Sequence, residues 1–195
     1  GFDNGKVAAF GTGDGEVLWE AAVAPPRGRT ELERLNDIDS TVRISGDDVF
    51  VVGFQGRAAR LAIDSGQLWW SRELSSYRGL AVDDDAVYVS TADGEVVALQ
   101  RRTGVELWRQ KALRLRGLAA PAVLGDAVAV ADFEGYVHWL DKTTGEMRAR
   151  TRVGDRVSNP PLSVDGKLIF VDDEGHVTAF RTPAAQPEAA VAAGN

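Results

Sequence analysis

The chain has 195 residues, 44% hydrophobic and 26% charged, with 22 Lys and Arg against 29 Asp and Glu and no Cys. That apolar fraction belongs to a folded globular protein. No run approaches the ~18 apolar residues of a spanning helix, and the lack of Cys excludes disulfide scaffolds, thiolate zinc sites and cysteine catalysis. A net charge of −7 argues against a general nucleic-acid binder, which needs a positive surface to displace counterions from phosphates. No basic stretch followed by an apolar run opens the sequence, so no signal peptide is expected in it; the Cys-free composition leaves the compartment open.

Glycine is in excess, 21 of 195 residues, roughly a tenth where ~7% is usual. Its positions are periodic. In the first unit, residues 1–24, Gly5 heads the apolar strand ending at Phe10; Gly15 follows after 10 residues and Trp19 after 14. The run Gly11-Thr-Gly13-Asp-Gly15 reads as a turn, because no helix follows to cradle a phosphate. Residues 25–39 then interrupt the period: the leading glycines Gly5, Gly56, Gly94, Gly135 and Gly175 are separated by 51, 38, 41 and 40 residues. Within this insertion Thr30 and Glu33 form a capping box that predicts a short helical turn. An enlarged connection in one repeat of a regular array is a place to look for function.

The later units each divide into four short strands. In unit 40–77, strand 41–44 meets the turn Gly46-Asp47-Asp48, strand 49–52 follows, Gly56 opens the third strand, and Ser65-Gly66 turns into a fourth bearing Trp70. Unit 78–117 repeats this with strand 79–82, the turn Asp83-Asp84-Asp85, strand 87–89, Gly94, Thr103-Gly104 and Trp108. Its segment 101–116 carries Arg101, Arg102, Arg109, Lys111, Arg114 and Arg116 against the single acid Glu106, and is read as a solvated strand edge or turn. Unit 118–156 has strand 122–124, Gly125-Asp126, strand 127–130, Gly135 and Thr144-Gly145, but Ala149 stands where Trp is expected. Unit 157–182 has strand 162–164, Asp165-Gly166, strand 168–171 and Gly175, and stops after its third strand; residues 183–195 read as a disordered Ala- and Pro-rich tail.

Gly and Asp suit the left-handed φ of tight hairpins. The second strands are apolar at every position, as expected of strands covered on both faces. Tandem four-stranded antiparallel units of ~40 residues predict an all-β fold, a β-propeller, here partial with about four to five blades. The tryptophans are expected to pack between blades or over turns.

No residue set predicts catalysis or a metal. His138 and His176 fall on third strands, three and one residues after their leading glycines, at non-equivalent places 38 residues apart, so packing or surface roles are expected. The acidic runs Asp83-Asp84-Asp85 and Asp172-Asp173-Glu174 sit in or beside turns and are read as solvated. No Ser-His-Asp spacing or phosphate loop appears.

The unit Gly-x-Val-x-Ala-Leu-x-x-x-Thr-Gly-x-x-x-Trp resembles the pyrroloquinoline-quinone-like propeller repeat. Two longer stretches, Gly28 to Asp39 with Gly53 to Leu61, and Ala119 to Val123 with Asp132 to Leu140, resemble the carboxy-terminal half of the BamB family, lipoproteins of the outer-membrane β-barrel assembly machinery. The resemblance runs over about residues 1–182. It implies a non-enzymatic scaffold at the periplasmic face of the outer membrane, built as an eight-bladed propeller, without a cofactor. It implies binding to the periplasmic POTRA domains of BamA, with Asp37 and Asp39 as contact residues beside Asn36 and Arg34. The family's Leu-x-Leu-Arg contact element belongs to an earlier blade, so its role does not pass to Leu113-Arg-Leu-Arg116. Membrane association is expected only through an amino-terminal lipid, whose Cys this chain lacks, and the length matches about half of such a propeller. Unfolded outer-membrane protein strands are a further expected partner, held by β-augmentation, and an uncovered blade face makes self-association an expectation.

Two other readings share the repeat. A quinoprotein dehydrogenase would need a quinone site, Ca²⁺ ligands and often a vicinal Cys pair, and neither the Cys nor an oxygen cage is visible. A propeller adaptor for some other partner is compatible with the fold, since propellers host many functions; it has no need of Asp37 and Asp39.

Overall fold

The repeats place an apolar run between turn residues every few positions, and each run forms a strand. The computed structural model describes residues 1, 2, 4–23, 42–54 and 56–181. The insertion 25–39, with Arg34, Asn36, Asp37, Asp39 and the Thr30–Glu33 capping box, and the tail 183–195 lie outside the described residues.

Five antiparallel sheets follow one another along the chain. The first contains β1 (Lys6–Phe10) and β2 (Val17–Ala22). The second contains β3 (Arg43–Ser45), β4 (Asp48–Val52), β5 (Arg57–Ala62) and β6 (Leu68–Glu73). The third contains β7 (Leu80–Val82), β8 (Ala86–Ser90), β9 (Val96–Gln100) and β10 (Glu106–Gln110). The fourth contains β11 (Ala122–Leu124), β12 (Ala127–Ala131), β13 (Tyr136–Asp141) and β14 (Met147–Arg152). The fifth contains β15 (Leu162–Val164), β16 (Lys167–Val171) and β17 (Val177–Arg181). Each strand pairs with its sequence neighbour, and there is no helix among the described residues. A register shift recurs where the third strand of a sheet meets the fourth, at Ala9/Phe10, Arg60/Leu61, Glu106/Trp108 and Trp139/Leu140. Such bulges bend and twist the outer strand.

Alternation explains why the sheets stack. Side chains of one strand point to opposite faces, and the second strand of each inner sheet is apolar on both. On β4, Phe50 and Val52 pack toward the third sheet, while Val49 and Val51 pack toward the first. On β8, Val87 and Val89 face the second sheet, and Ala86 and Tyr88 face the fourth. Val128 and Val130 of β12 join the third sheet, whereas Ala129 and Ala131 meet Leu168 and Phe170 of the fifth. Every residue of β4 and β8 is buried. The short first strands adjoin one another, β7 touching both β3 and β11. Four-stranded sheets stacked face to face, with first strands together and fourth strands outermost, form a β-propeller array. The outward face of the last sheet carries Leu162 and Val177, 60% and 67% exposed.

Candidate interaction surfaces

Three of the four seams between adjacent sheets use one device, a tryptophan laid on a glycine. Trp70, on β6, donates its Nε1–H to the carbonyl of Arg101 at 2.8 Å, in the turn between β9 and β10. Its ring covers Gly104, where a Cβ would stand 2.7 Å from the indole, and Gly104 holds φ +66°. Only glycine meets both demands. Trp19 repeats the contact on Gly66, donating to Ile63 O at 2.8 Å, and Trp108 repeats it on Gly145, donating to Lys142 O at 2.9 Å. The tryptophan of one unit thus locks the Ser-Gly or Thr-Gly turn of the next.

The residue that accepts this bond also bridges backward through its side chain. Arg101 Nη2 donates to Ser45 O at 2.8 Å and pairs with Asp48 at 3.3 Å, and its Nη1 donates to Asp83 O at 2.9 Å. Lys142, seven residues after its leading glycine as Arg101 is after Gly94, pairs with Asp83 at 3.0 Å and Asp85 at 3.6 Å. Burial alone would raise the Asp83 carboxyl, but the N–H groups of Ala86 and Asp85 and the Lys142 ammonium outweigh it and hold it below its usual value.

The basic segment 101–116 is therefore a solvated edge only at Arg102 and Lys111. Arg109 and Arg114 close on Glu95, which is 3% exposed, and Arg109 also reaches Glu106. Burial would raise the Glu95 carboxyl, and the two guanidiniums reverse this and lower it. Arg116 Nε donates to Asp132 at 2.6 Å. Arg101, Arg109, Arg114 and Arg116 are spent on the buried acids Asp48, Glu95 and Asp132, which a local count around Glu106 could not reveal, while Arg102 and Lys111 are exposed.

The acidic runs divide in the same way. Asp84 is solvated, but Asp83 is a seam residue and Asp172 is buried. Asp132 and Asp172 both stand three residues before a leading glycine and cap the entrance to the third strand. Asp132 Oδ1 accepts the N–H groups of Glu134 and Tyr136, and Asp172 Oδ1 those of Glu174 and His176. Both histidines reach these carboxylates: His138 Nε2 lies 2.7 Å from Asp132 Oδ2, and His176 Nδ1 lies 2.9 Å from Asp172 Oδ2. His138 is buried on β13, whereas His176 immediately precedes β17 and is exposed. Burial would raise Asp132, yet the bonds from His138, Tyr136 N–H and Arg116 hold it at about 2. The Asp155 N–H bond is the leading cause that holds Asp172 at about 2. The packing and surface roles expected of the histidines thus share one kind of partner. Among the described residues no group of three or more His, Cys, Asp or Glu is placed to hold a metal ion.

One turn presents apolar and cationic groups to solvent together. Leu115, between β10 and β11, is 92% exposed with φ +64°. Phe133 is 44% exposed and abuts Gly117. Nearby, the Tyr136 ring has the guanidinium of Arg150 at 4.6 Å and those of Arg116 and Arg152 at 5.9 Å.

Stacked antiparallel sheets with turns locked by tryptophan define a β-propeller-type protein. A family profile described as outer membrane protein assembly factor BamB matches residues 1–110 and 92–183. The chain is 44% identical over 181 residues to the BamB of Pseudomonas aeruginosa, covering 92% of this chain and 48% of that protein. It is 34% identical over 178 residues to the BamB of Escherichia coli, covering 91% and 45%. Among solved structures, BamB from Moraxella catarrhalis superposes with a TM-score of 0.84 at 31% identity, covering 91% of this chain and 53% of that one. The chain belongs to the family of the outer membrane protein assembly factor BamB, and it spans about half the length of the curated relatives it matches.

Proposed function

We propose that this chain is part of a non-enzymatic scaffold of the outer-membrane β-barrel assembly machinery, acting at the periplasmic face of the outer membrane by binding the POTRA domains of BamA. The observation that carries the reading is the match to the BamB family along nearly the whole chain. In this reading the repeat units 1–24, 40–77, 78–117, 118–156 and 157–182 form the rigid part, and the connection 25–39 carries the contact. Asp37 and Asp39, with Asn36 and Arg34 beside them, meet basic groups of the partner. Charge-assisted pairs of this kind fix orientation, and cutting one side of a desolvated pair costs ~2–5 kcal/mol.

The test is charge reversal. Asp37→Arg and Asp39→Arg should each abolish co-purification with BamA while leaving the thermal unfolding curve unchanged. Undiminished binding by both variants refutes the assignment.

A further inference from the structure

Leu115 is the most exposed large apolar side chain among the described residues, and it is held there against two preferences. Water disfavours its isobutyl group, and a φ of +64° disfavours any residue with a branched side chain. The turn is nonetheless firmly fixed. Leu113 and Leu118 are buried on either side of it. Arg114 N–H donates to Lys111 O and Arg116 N–H to Leu113 O, each at 3.3 Å, and Phe133 N–H donates to Arg116 O at 3.0 Å. Side chains on both flanks are pinned as well, Arg114 to Glu95 and Arg116 to Asp132 and Glu134. The anchors hold the apolar tip outward.

The cations beside the tip have a common focus. Tyr136 pairs with Arg152 and His138 with Arg150 across β13 and β14, so Tyr136, Arg150 and Arg152 share one face. Their guanidiniums gather on the tyrosine ring, as does that of Arg116. Glu95, Glu106, Asp132 and Glu134 are taken up by Arg109, Arg114 and Arg116. Among the described residues, Arg150 makes no ion pair, and Arg152 donates only to the carbonyl of Gly154 at 3.3 Å. In a chain of net charge −7 this is a local surplus of positive charge.

We propose that this turn is a lipid-surface contact, in which Leu115 and Phe133 enter the interfacial layer of a bilayer while Arg150 and Arg152 pair with anionic phosphodiester headgroups. A lone protruding side chain with one aromatic neighbour is far smaller than the ~800 Å² per partner of a stable protein interface. It fits a peripheral membrane contact, in which a shallow apolar insertion and nearby cations act together. Tyr136 adds the amphipathic ring favoured at that depth.

The absence of cysteine makes the test direct. The variant Leu115→Cys, labelled with an environment-sensitive fluorophore, should brighten severalfold on vesicles of mixed phosphatidylcholine and phosphatidylglycerol. Vesicles of phosphatidylcholine alone, and inorganic phosphate at matched ionic strength, should leave it dark. The same label at Leu18→Cys, an exposed site on β2, should stay dark throughout. Adding Arg150→Glu and Arg152→Glu should remove the response. Leu115→Gly should keep or raise the melting temperature, because glycine relieves the positive φ, and should lose co-sedimentation with the anionic vesicles. No brightening on anionic vesicles, equal brightening on neutral ones, or a response that survives the double reversal overturns the proposal. A label that responds to the POTRA domains of BamA and to no vesicle also overturns it, in favour of a protein contact.

Discussion

The seam between the third and fourth sheets and the seam between the fourth and fifth solve one packing problem with different parts. In the former, Trp108 covers Gly145 and donates to Lys142 O, while Lys142 reaches back to Asp83. In the latter, Ala149 occupies the tryptophan position, and the sheets meet through Trp139 and Phe180, with ring centroids 5.1 Å apart, over Phe170 and Leu168. The clamped seam joins an apolar layer, a fixed hydrogen bond and an ion pair at the outer turns. The unclamped seam relies on its apolar layer, Asp172 and the contacts around residues 153–158. A propeller repeat can therefore keep its strands while changing how firmly one unit holds the next.

The largest test of this contrast is Trp108→Ala. Truncating a buried indole typically costs ~3–5 kcal/mol, and thermal or urea unfolding should show a loss in that range; a loss under ~1 kcal/mol would mean the clamp contributes little. Next comes Gly104→Ala. Its Cβ would collide with the Trp70 ring at 2.7 Å in a left-handed backbone, whereas Gly166, at φ +68°, has open space around it. The overpacked site should lose ~2–3 kcal/mol by the same unfolding measurement and Gly166→Ala only ~1 kcal/mol. Equal losses would remove the steric part of the argument.

Acid titration sharpens the comparison through Asp132. Its folded carboxyl is held at about 2, below the ordinary 3.8, so its stabilisation is complete above the unfolded value. The stabilisation fades as pH falls through 3.8 toward about 2, amounting to ~2 kcal/mol. Asp132→Asn should flatten that part of the stability profile. His176 has the opposite sign. The Asp172 carboxylate raises it above 6.5, so its contribution is full below 6.5 and disappears as pH rises through the raised value. A His176 titration followed by NMR should therefore shift downward in Asp172→Asn. The smallest effect is expected of Ala149→Trp. Ala185 stands where the period would place the next turn glycine, so the added indole should change stability by no more than ~0.5 kcal/mol.

Much of the fold was legible because turns and strands obey local rules. The spacing of Gly56, Gly66 and Trp70 identified the repeat, and the runs at 49–52 and 87–89 announced strands buried on both faces. The partners across the seams were not legible. Nothing in one unit says that Trp70 rests on Gly104 of the next, or that Arg101 will find Asp48 more than fifty residues earlier. The same limit hides the partners of Asp83, Asp172 and the cations Arg101, Arg109, Arg114 and Arg116, which from sequence alone read as solvated. The exposed Leu115 carried no sequence signal, since its place depends on a backbone angle set by anchors on both sides. Asp37 and Asp39 came from family resemblance, because no local rule marks a carboxylate as a contact.

In the proposed function the seams hold the shape of the scaffold and the connection 25–39 carries the binding. The measurement that tests this most directly is the affinity for the POTRA domains of BamA, compared between Asp37→Arg and Trp108→Phe. Asp37→Arg should weaken binding by at least ~10-fold, or ~1.4 kcal/mol, and Trp108→Phe, in another repeat, should leave it unchanged. Full affinity in Asp37→Arg, with the loss appearing in Trp108→Phe instead, would contradict the account.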